Sequence, residues 1–119
     1  MQTLNKAKLC LKIIKERKAI NPLLLEVAKL TSITDYFLIA SGSSSRQVQA
    51  MTRHLQKKMR ENGFKAYGIE GGQEWHWVLV DFGDVVVHLF YHPFRDLYDL
   101  EGLWFEARRV DMEEEENRC

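Results

Sequence analysis

The run Tyr36-Phe-Leu-Ile-Ala-Ser41 shows no alternation of apolar and polar residues and has the length of a strand, not of a helix. A strand of this pattern is buried on both faces, so the sheet that holds it needs cover on both sides. This is the strongest constraint in the chain. The residues around it supply the cover. Leu4, Ala7, Leu11 and Ile14 recur at three- and four-residue spacing, which predicts an amphipathic helix ahead of the strand. Val48, Met51, Leu55 and Met59 predict a second helix behind it, started by one of the serines in Gly42-Ser-Ser-Ser45 and stopped at Gly63 in a left-handed position.

The remaining elements follow from local chemistry. Asn21-Pro22 ends the first helix, and Leu23 to Ala28 reads as a strand. Lys65 to Ile69 reads as a short strand, followed by a Gly71-Gly72 loop. Trp75 to Val80 and Val85 to Tyr91 read as a hairpin around Asp81-Phe-Gly-Asp84, and Phe94 to about Arg109 as a final helix. The predicted class is α/β, with a mixed sheet of about five strands flanked by helices. At 119 residues the chain is expected to form one domain over 1–110, with an acidic, disordered tail over 111–119.

The hairpin register carries a first functional hint. Phe82 is a poor occupant of a positive-φ site, which favours a three-residue loop Asp81-Phe82-Gly83 over a two-residue Phe82-Gly83 turn. Val80 then faces Asp84, Val78 faces Val86 and His76 faces His88. One face carries Trp75, Trp77 and Leu79, the other His76, Val78, Val80, His88 and Phe90. Both faces are largely apolar, so both are expected to be covered, by helices or by a partner.

Catalytic readings find little support. Asp81-Phe82-Gly83 matches the kinase metal-binding triplet in letters only, without the glycine-rich loop, the strand lysine or the catalytic loop. Ser41-Gly-Ser-Ser-Ser45-Arg46 at a strand-to-helix turn could hold a phosphate, and it leaves a nucleotide-binding alternative open. The paired carboxylates that would hold Mg²⁺ beside such a turn are not evident. His76 and His88 across the hairpin, or His88 and His92, lack the further ligands of a closed zinc site. Cys10 lies in an amphipathic run and reads as core. No enzyme activity, cofactor or metal is expected.

Charge points to binding instead. The chain balances 17 Lys and Arg against 17 Asp and Glu. The balance is a cancellation, since residues 1–60 hold 12 basic and 3 acidic side chains and residues 61–119 hold 5 and 14. Arg46, Arg53, Lys57 and Arg60 cluster on the second helix, where a solvated face is a sufficient explanation. Glu70, Glu74, Asp84, Asp96, Asp99 and Glu101 gather among the aromatics of the hairpin and last helix. An acidic rim around apolar surface suits a basic protein partner.

Five segments in order then form a series: Ile33-Thr-Asp-Tyr-Phe37, Ser41-Gly-Ser-Ser-Ser-Arg-Gln-Val48, Ile69-Glu-Gly71, Trp77 through His88, and Arg95-x-x-Tyr98-x-Leu-Glu101-x-Leu-Trp104. The series closely resembles the ribosomal silencing factor family, also called the Iojap family. The resemblance implies a nucleotidyltransferase-like fold without known enzyme activity. It implies binding to the large ribosomal subunit through that subunit's fourteenth protein, on the face that meets the small subunit. Joining is then blocked sterically and translation is repressed under nutrient limitation. Trp77, His88, Arg95 and Tyr98 are the partner-binding positions that the resemblance implies, and the hairpin register adds His76 and Phe90. One departure is His76, which stands where the family commonly carries an acidic residue. A homodimer through the same aromatic surface, and a peripheral contact of the basic pole with ribosomal RNA, stay open. No membrane segment is present in the sequence, and the absence of an Arg/Ser-rich leader suggests a bacterial cytoplasm.

Overall fold

Tyr36 to Gly42 is the fourth strand across a six-stranded sheet and is buried along nearly its whole length. The structure is a computed structural model, and it describes residues 2–71 and 74–111. In chain order the elements are α1 (Gln2–Lys15), β1 (Ile20–Glu26), β2 (Tyr36–Gly42), α2 (Ser45–Glu61), β3 (Gly68–Gly71), β4 (Trp77–Asp81), β5 (Val85–Tyr91), α3 (His92–Tyr98), α4 (Leu100–Leu103) and β6 (Arg108–Arg109). The strands lie in the order β3-β4-β5-β2-β1-β6. Only β2 and β5 run parallel; the other pairs are antiparallel.

The parallel pair at the centre explains the continuous apolar runs in both strands. On one face, Leu38 and Ala40 of β2 and Val85, Val87 and Leu89 of β5 meet Leu4, Ala7, Leu11 and Ile14 of α1 and Val48, Met51, Leu55 and Met59 of α2. Cys10 is buried in this layer, its Sγ 3.7 Å from Met59 Sδ. On the other face Leu25, Val27, Ile39, Phe90 and Leu100 form a smaller layer, flanked by Phe37, Trp77 and Trp104. Ser44 caps α2 by accepting from the Gln47 N–H at 3.1 Å, and Gly63 beyond its end has φ +89°.

Several expectations need correction. The mixed sheet flanked by helices is as expected, with six strands among the described residues where about five were expected. The sixth, β6, comes from a stretch expected to be helical up to Arg109. That helix stops because Asp99 takes a left-handed φ of 47° and starts α4 by accepting from the Gly102 N–H. β1 begins before Pro22 instead of after it. A register shift between Ile20 and Leu23, with Asn21 at φ 46°, admits the proline where β6 does not yet pair with β1. β3 lies three residues later than Lys65, and β4 begins at Trp77 because Trp75 adopts φ 59°. Residues 112–119 of the expected acidic tail lie outside the described residues.

The hairpin is also in a different register. Trp77 pairs with Phe90, Leu79 with His88 and Asp81 with Val86, so His76 does not face His88. The Phe82 N–H donates to the Val85 carbonyl at 2.9 Å, which leaves Gly83-Asp84 as a two-residue turn. Gly83 is the residue with positive φ, at +90°, as a hairpin turn with glycine in its first central position requires. Thr34 Oγ1 donates to the Gly83 carbonyl at 3.0 Å, and Lys6 Nζ reaches the Phe82 carbonyl at 2.7 Å and Asp84 Oδ1 at 2.8 Å. Burial alone would raise the Asp84 carboxyl. Hydrogen bonds from Lys6 and Thr3, with the Lys6 charge, outweigh it and hold the group below its usual range.

A Cβ on Gly83 would also lie 2.8 Å from Tyr67 Cε2. Gly83→Ala is therefore expected to lower stability by about 2 kcal/mol through backbone strain. Gly68→Ala, with nothing within 4 Å of its Cβ, serves as the control. Urea midpoints check this, and equal midpoints for the two variants would refute the turn assignment.

Candidate functional site

The two faces of the sheet are not equally covered. α1 and α2 close one face. On the other, α3, α4 and Trp104 shield β1, β2 and the end of β5, and the cover stops at Phe90. Because Trp77 pairs with Phe90 and Leu79 with His88, Trp77 and Leu79 point to this half-covered face, joined by Glu70 opposite Leu79. Together with Glu74, His76 and Tyr98 they line an open groove of about 720 Å³.

Trp77 is the hub. Its ring stacks on Phe90 at 5.1 Å between centroids and lies 4.6 Å from the Tyr98 ring. Its indole Nε1–H donates to His88 Nδ1 at 3.2 Å. His88 meets Phe37 edge-on at 5.0 Å, and Phe37 meets Trp104 in the same way at 5.1 Å. The tryptophan is thus held from beneath by a chain of rings. His88 is only 4% exposed, and its Nε2 has no hydrogen-bond partner among the described residues. Burial drives its pKa down to about 4. Accepting from the indole through Nδ1 places the proton of the neutral ring on Nε2.

The six predicted partner-binding residues do converge on this end of the molecule, but they divide by depth. Trp77 and His76 are half-buried and Tyr98 is 45% exposed. His76 stacks flat on Phe94 at 4.0 Å, with Nδ1 3.4 Å from the Glu74 carboxylate. Phe90 is wholly buried, and Arg95 is 8% exposed. The expected surface position of Phe90 is corrected by the hairpin register, which turns it under Trp77. Arg95 grips Glu101 through two parallel bonds of 3.2 and 3.1 Å, and it donates to the Ile20 carbonyl and to Ser41 Oγ at 3.1 Å each. It ties α3 and α4 to β1 and β2, a fixed use of the planar guanidinium fork.

The acidic rim is smaller than expected. Asp84 sits at the far end of the hairpin with Lys6, Asp99 caps α4 and Glu101 holds Arg95, while Glu70 and Glu74 remain on the groove. Leu79 also belongs to the groove, because the observed register sets it opposite His88. Leu97, Leu103 and Phe105 are exposed on the neighbouring α3–α4 segment. Neither helical periodicity nor charge marks those three, because the segment breaks at Asp99.

The Gly-Ser turn is occupied by its own helix. Ser44 caps α2, and both the N–H and the hydroxyl of Ser43 engage Gln47 Oε1. A phosphate at this turn would have to displace those contacts. Among the described residues no group of three or more His, Cys, Asp or Glu is placed to hold a metal ion. No helix there is long and apolar enough to cross a membrane.

Comparison with known proteins finds relatives over nearly the whole chain. A family model described as "Ribosomal silencing factor during starvation" matches residues 1–118. A Bacillus subtilis protein named ribosomal silencing factor RsfS is 42% identical over 98 residues, covering 82% of this chain and 83% of the relative. A crystal structure from Chromobacterium violaceum superposes with a TM-score of 0.85 at 35% identity, covering 99% of this chain and 98% of that one. A mouse protein named "Mitochondrial assembly of ribosomal large subunit protein 1" is 35% identical over 97 residues, which is 77% of this chain and 42% of the mouse protein.

The buried histidine generates a pH prediction. An unfolded histidine titrates near 6.5 and folded His88 near 4. Between those values the unfolded chain binds a proton that the folded chain does not, so stability is full above pH 6.5 and falls as the pH drops toward 4. The loss reaches about 3 kcal/mol at the lower limit. His88→Phe keeps a buried ring and should lack this limb of the profile. Urea denaturation at pH 7, 5.5 and 4 checks it, and superimposable profiles for the two proteins would rule the assignment out.

Proposed function

The chain belongs to the ribosomal silencing factor family, and from that premise we propose that it seats its half-covered sheet face on the large ribosomal subunit and keeps the small subunit from joining. The single observation that carries this reading is the groove itself. A rigid aromatic cluster, Trp77 with Tyr98, stands open beside Glu70 and Glu74 on a face that lacks its outer layer. Large aromatic side chains held rigid by their neighbours are the usual anchors of protein interfaces. Glu70 and Glu74 at the edge, Glu74 beside the His76 ring, favour a basic partner and speed its approach.

The occupant is a basic protein of the large subunit, and the family resemblance makes the fourteenth protein the first choice. Trp77, Tyr98, Leu79 and His76 contact it directly. His88, Phe90 and Arg95 act from beneath, His88 by orienting the indole and Arg95 by fixing α3 and α4. The mechanism needs no catalysis. A domain that buries roughly 800 Å² on the joining face excludes whatever would otherwise dock there. Silencing is thus reversible by dissociation, which suits repression of translation when nutrients are scarce. The names of the bacterial relatives and the large-subunit name of the mouse relative support this direction.

Tyr98→Ala removes exposed groove surface without opening the core. It is expected to stay folded and to weaken co-sedimentation with purified large subunits by about tenfold or more, the scale of an interface anchor. Trp77→Ala should weaken it further and also lower the melting temperature, because it uncovers Phe90 and leaves His88 Nδ1 unpaired. Inhibition of subunit joining should fall in the same order. A Tyr98→Ala protein that binds and inhibits like the wild type would place the interface elsewhere.

A further inference from the structure

The opposite side of the molecule carries a feature that the groove does not use. On α2, Arg46, Ala50, Arg53, Lys57 and Arg60 follow one another at four- and three-residue intervals, and all five are exposed. They form one straight stripe along the outer side of a helix whose inner side, Val48, Met51, Leu55 and Met59, is buried. The stripe is about 21 Å long at the rise of an α-helix. Arg17, from the turn after α1, joins Arg53, Lys57 and Lys58 around a shallow concavity of about 460 Å³ that also holds Ala50 and His54.

The charge there is largely uncompensated. Among the described residues Arg17, Arg46, Arg53, Lys57 and Arg60 form no ion pair with a carboxylate. Two acidic groups lie nearby. Glu16 is bound by His54 at 2.8 Å, and Glu61 lies 3.7 Å from Lys58. The Glu16 carboxyl is held below its usual range by the hydrogen bond from His54 and by the charges of His54, Lys58 and Lys12.

We infer that this stripe, Arg46, Arg53, Lys57 and Arg60 with Arg17 beside it, is a binding surface for the phosphate backbone of duplex RNA. The chemistry selects among polyanions. Neither α1 nor α2 exposes an aromatic or large aliphatic side chain on this side. Binding to unpaired bases needs stacking rings, an interfacial membrane helix needs an apolar face, and a protein interface needs an anchor. A straight row of cations with a small alanine between them needs only closely spaced phosphates, which a helical duplex presents. Arginine forks supply paired donors for those oxygens. α2 lies on the covered face of the sheet and the groove on the other. The protein therefore holds RNA with one side while the other holds protein. That the RNA is ribosomal rests on the function proposed above.

The test uses the full chain, a short RNA duplex without overhangs, vesicles of phosphatidylglycerol and purified large subunits. Wild-type protein is expected to bind the duplex with an affinity that falls steeply with salt. Arg53→Glu combined with Lys57→Glu should keep the wild-type melting temperature, lose about tenfold or more in duplex affinity and flatten the logarithmic salt slope by about 2. The same double variant should lose about tenfold for large subunits while the Tyr98→Ala effect is unchanged in size. Equal duplex affinity and salt slope in variant and wild type would overturn the inference, as would binding to the vesicles without binding to the duplex. A variant weakened on the duplex but not on large subunits would overturn its ribosomal part. If wild-type protein does not bind large subunits at all, the proposed function fails, and the duplex measurement still decides whether the stripe binds RNA.

Discussion

Everything in this molecule is organised by the parallel pairing of β2 with β5. A parallel pair cannot be closed by a short turn, so the chain must leave the sheet, build a cover and return. Here it leaves through Gly42 and crosses the sheet as α2. It then returns through two outer strands that end in β5, the neighbour of β2. Register across the pair is continuous from Tyr36 opposite Val85 to Gly42 opposite Tyr91. A strand at this position exposes side chains to both layers, so each face of the sheet needs its own apolar cover. One face receives two long helices. The other receives two short ones, and that shortfall leaves the Trp77 groove open.

The short helices reach as far as they do because a buried cation anchors them. Arg95 joins Glu101 of α4 to the Ile20 carbonyl of β1 and to Ser41 of β2. A nearly buried guanidinium is costly unless its donors are satisfied, and four contacts to three partners meet that condition. His88 solves a related problem differently. It stays neutral, accepts from the indole of Trp77 and leaves the second nitrogen among aromatic neighbours. Neither group lines the groove: His88 lies beneath Trp77, and Arg95 sits beside a separate concavity with Ile20, Ser41 and Glu101. Residues near a surface that carry unusual chemistry can thus serve the residues that touch a partner.

Much of this was legible in the sequence, and the errors have identifiable causes. The non-alternating Tyr36–Ser41 run gave the two-sided sheet, and the spacing of Val48, Met51, Leu55 and Met59 gave α2 with its capping serine and terminal glycine. Ordered motifs gave the family. The hairpin register was misread because Phe82 was weighed only as a turn residue, whereas the turn is Gly83-Asp84 and Phe82 is core. The slip did not simply invert faces. It kept His88 with Phe90 but separated both from Trp77, because the observed register lies three residues from the expected one, and an odd slide changes which side chains of the two strands share a face. Breaking the last helix depended on the left-handed Asp99, which side-chain periodicity does not reveal. Arg95 and Glu101 were visible as charges six residues apart, but a break between them was needed to make them partners.

Charge polarity follows from the same architecture. α1 and α2 carry the amphipathic faces of the basic half, so their cations point outward on one side of the sheet. The acidic half contributes β3, β4 and the short helices, and Glu70 and Glu74 at the groove lie on the other side. The sheet and the apolar layer on each of its faces lie between them, which keeps the two sets from neutralising each other by direct pairing. The exceptions show the rule. Lys6 meets Asp84, and Arg108 meets Glu26, at the sheet's ends and edges, where chain from both halves comes within reach. A formal charge of zero therefore describes two opposed fields held apart by a fold, and the fold fixes which partner chemistry each side can accept.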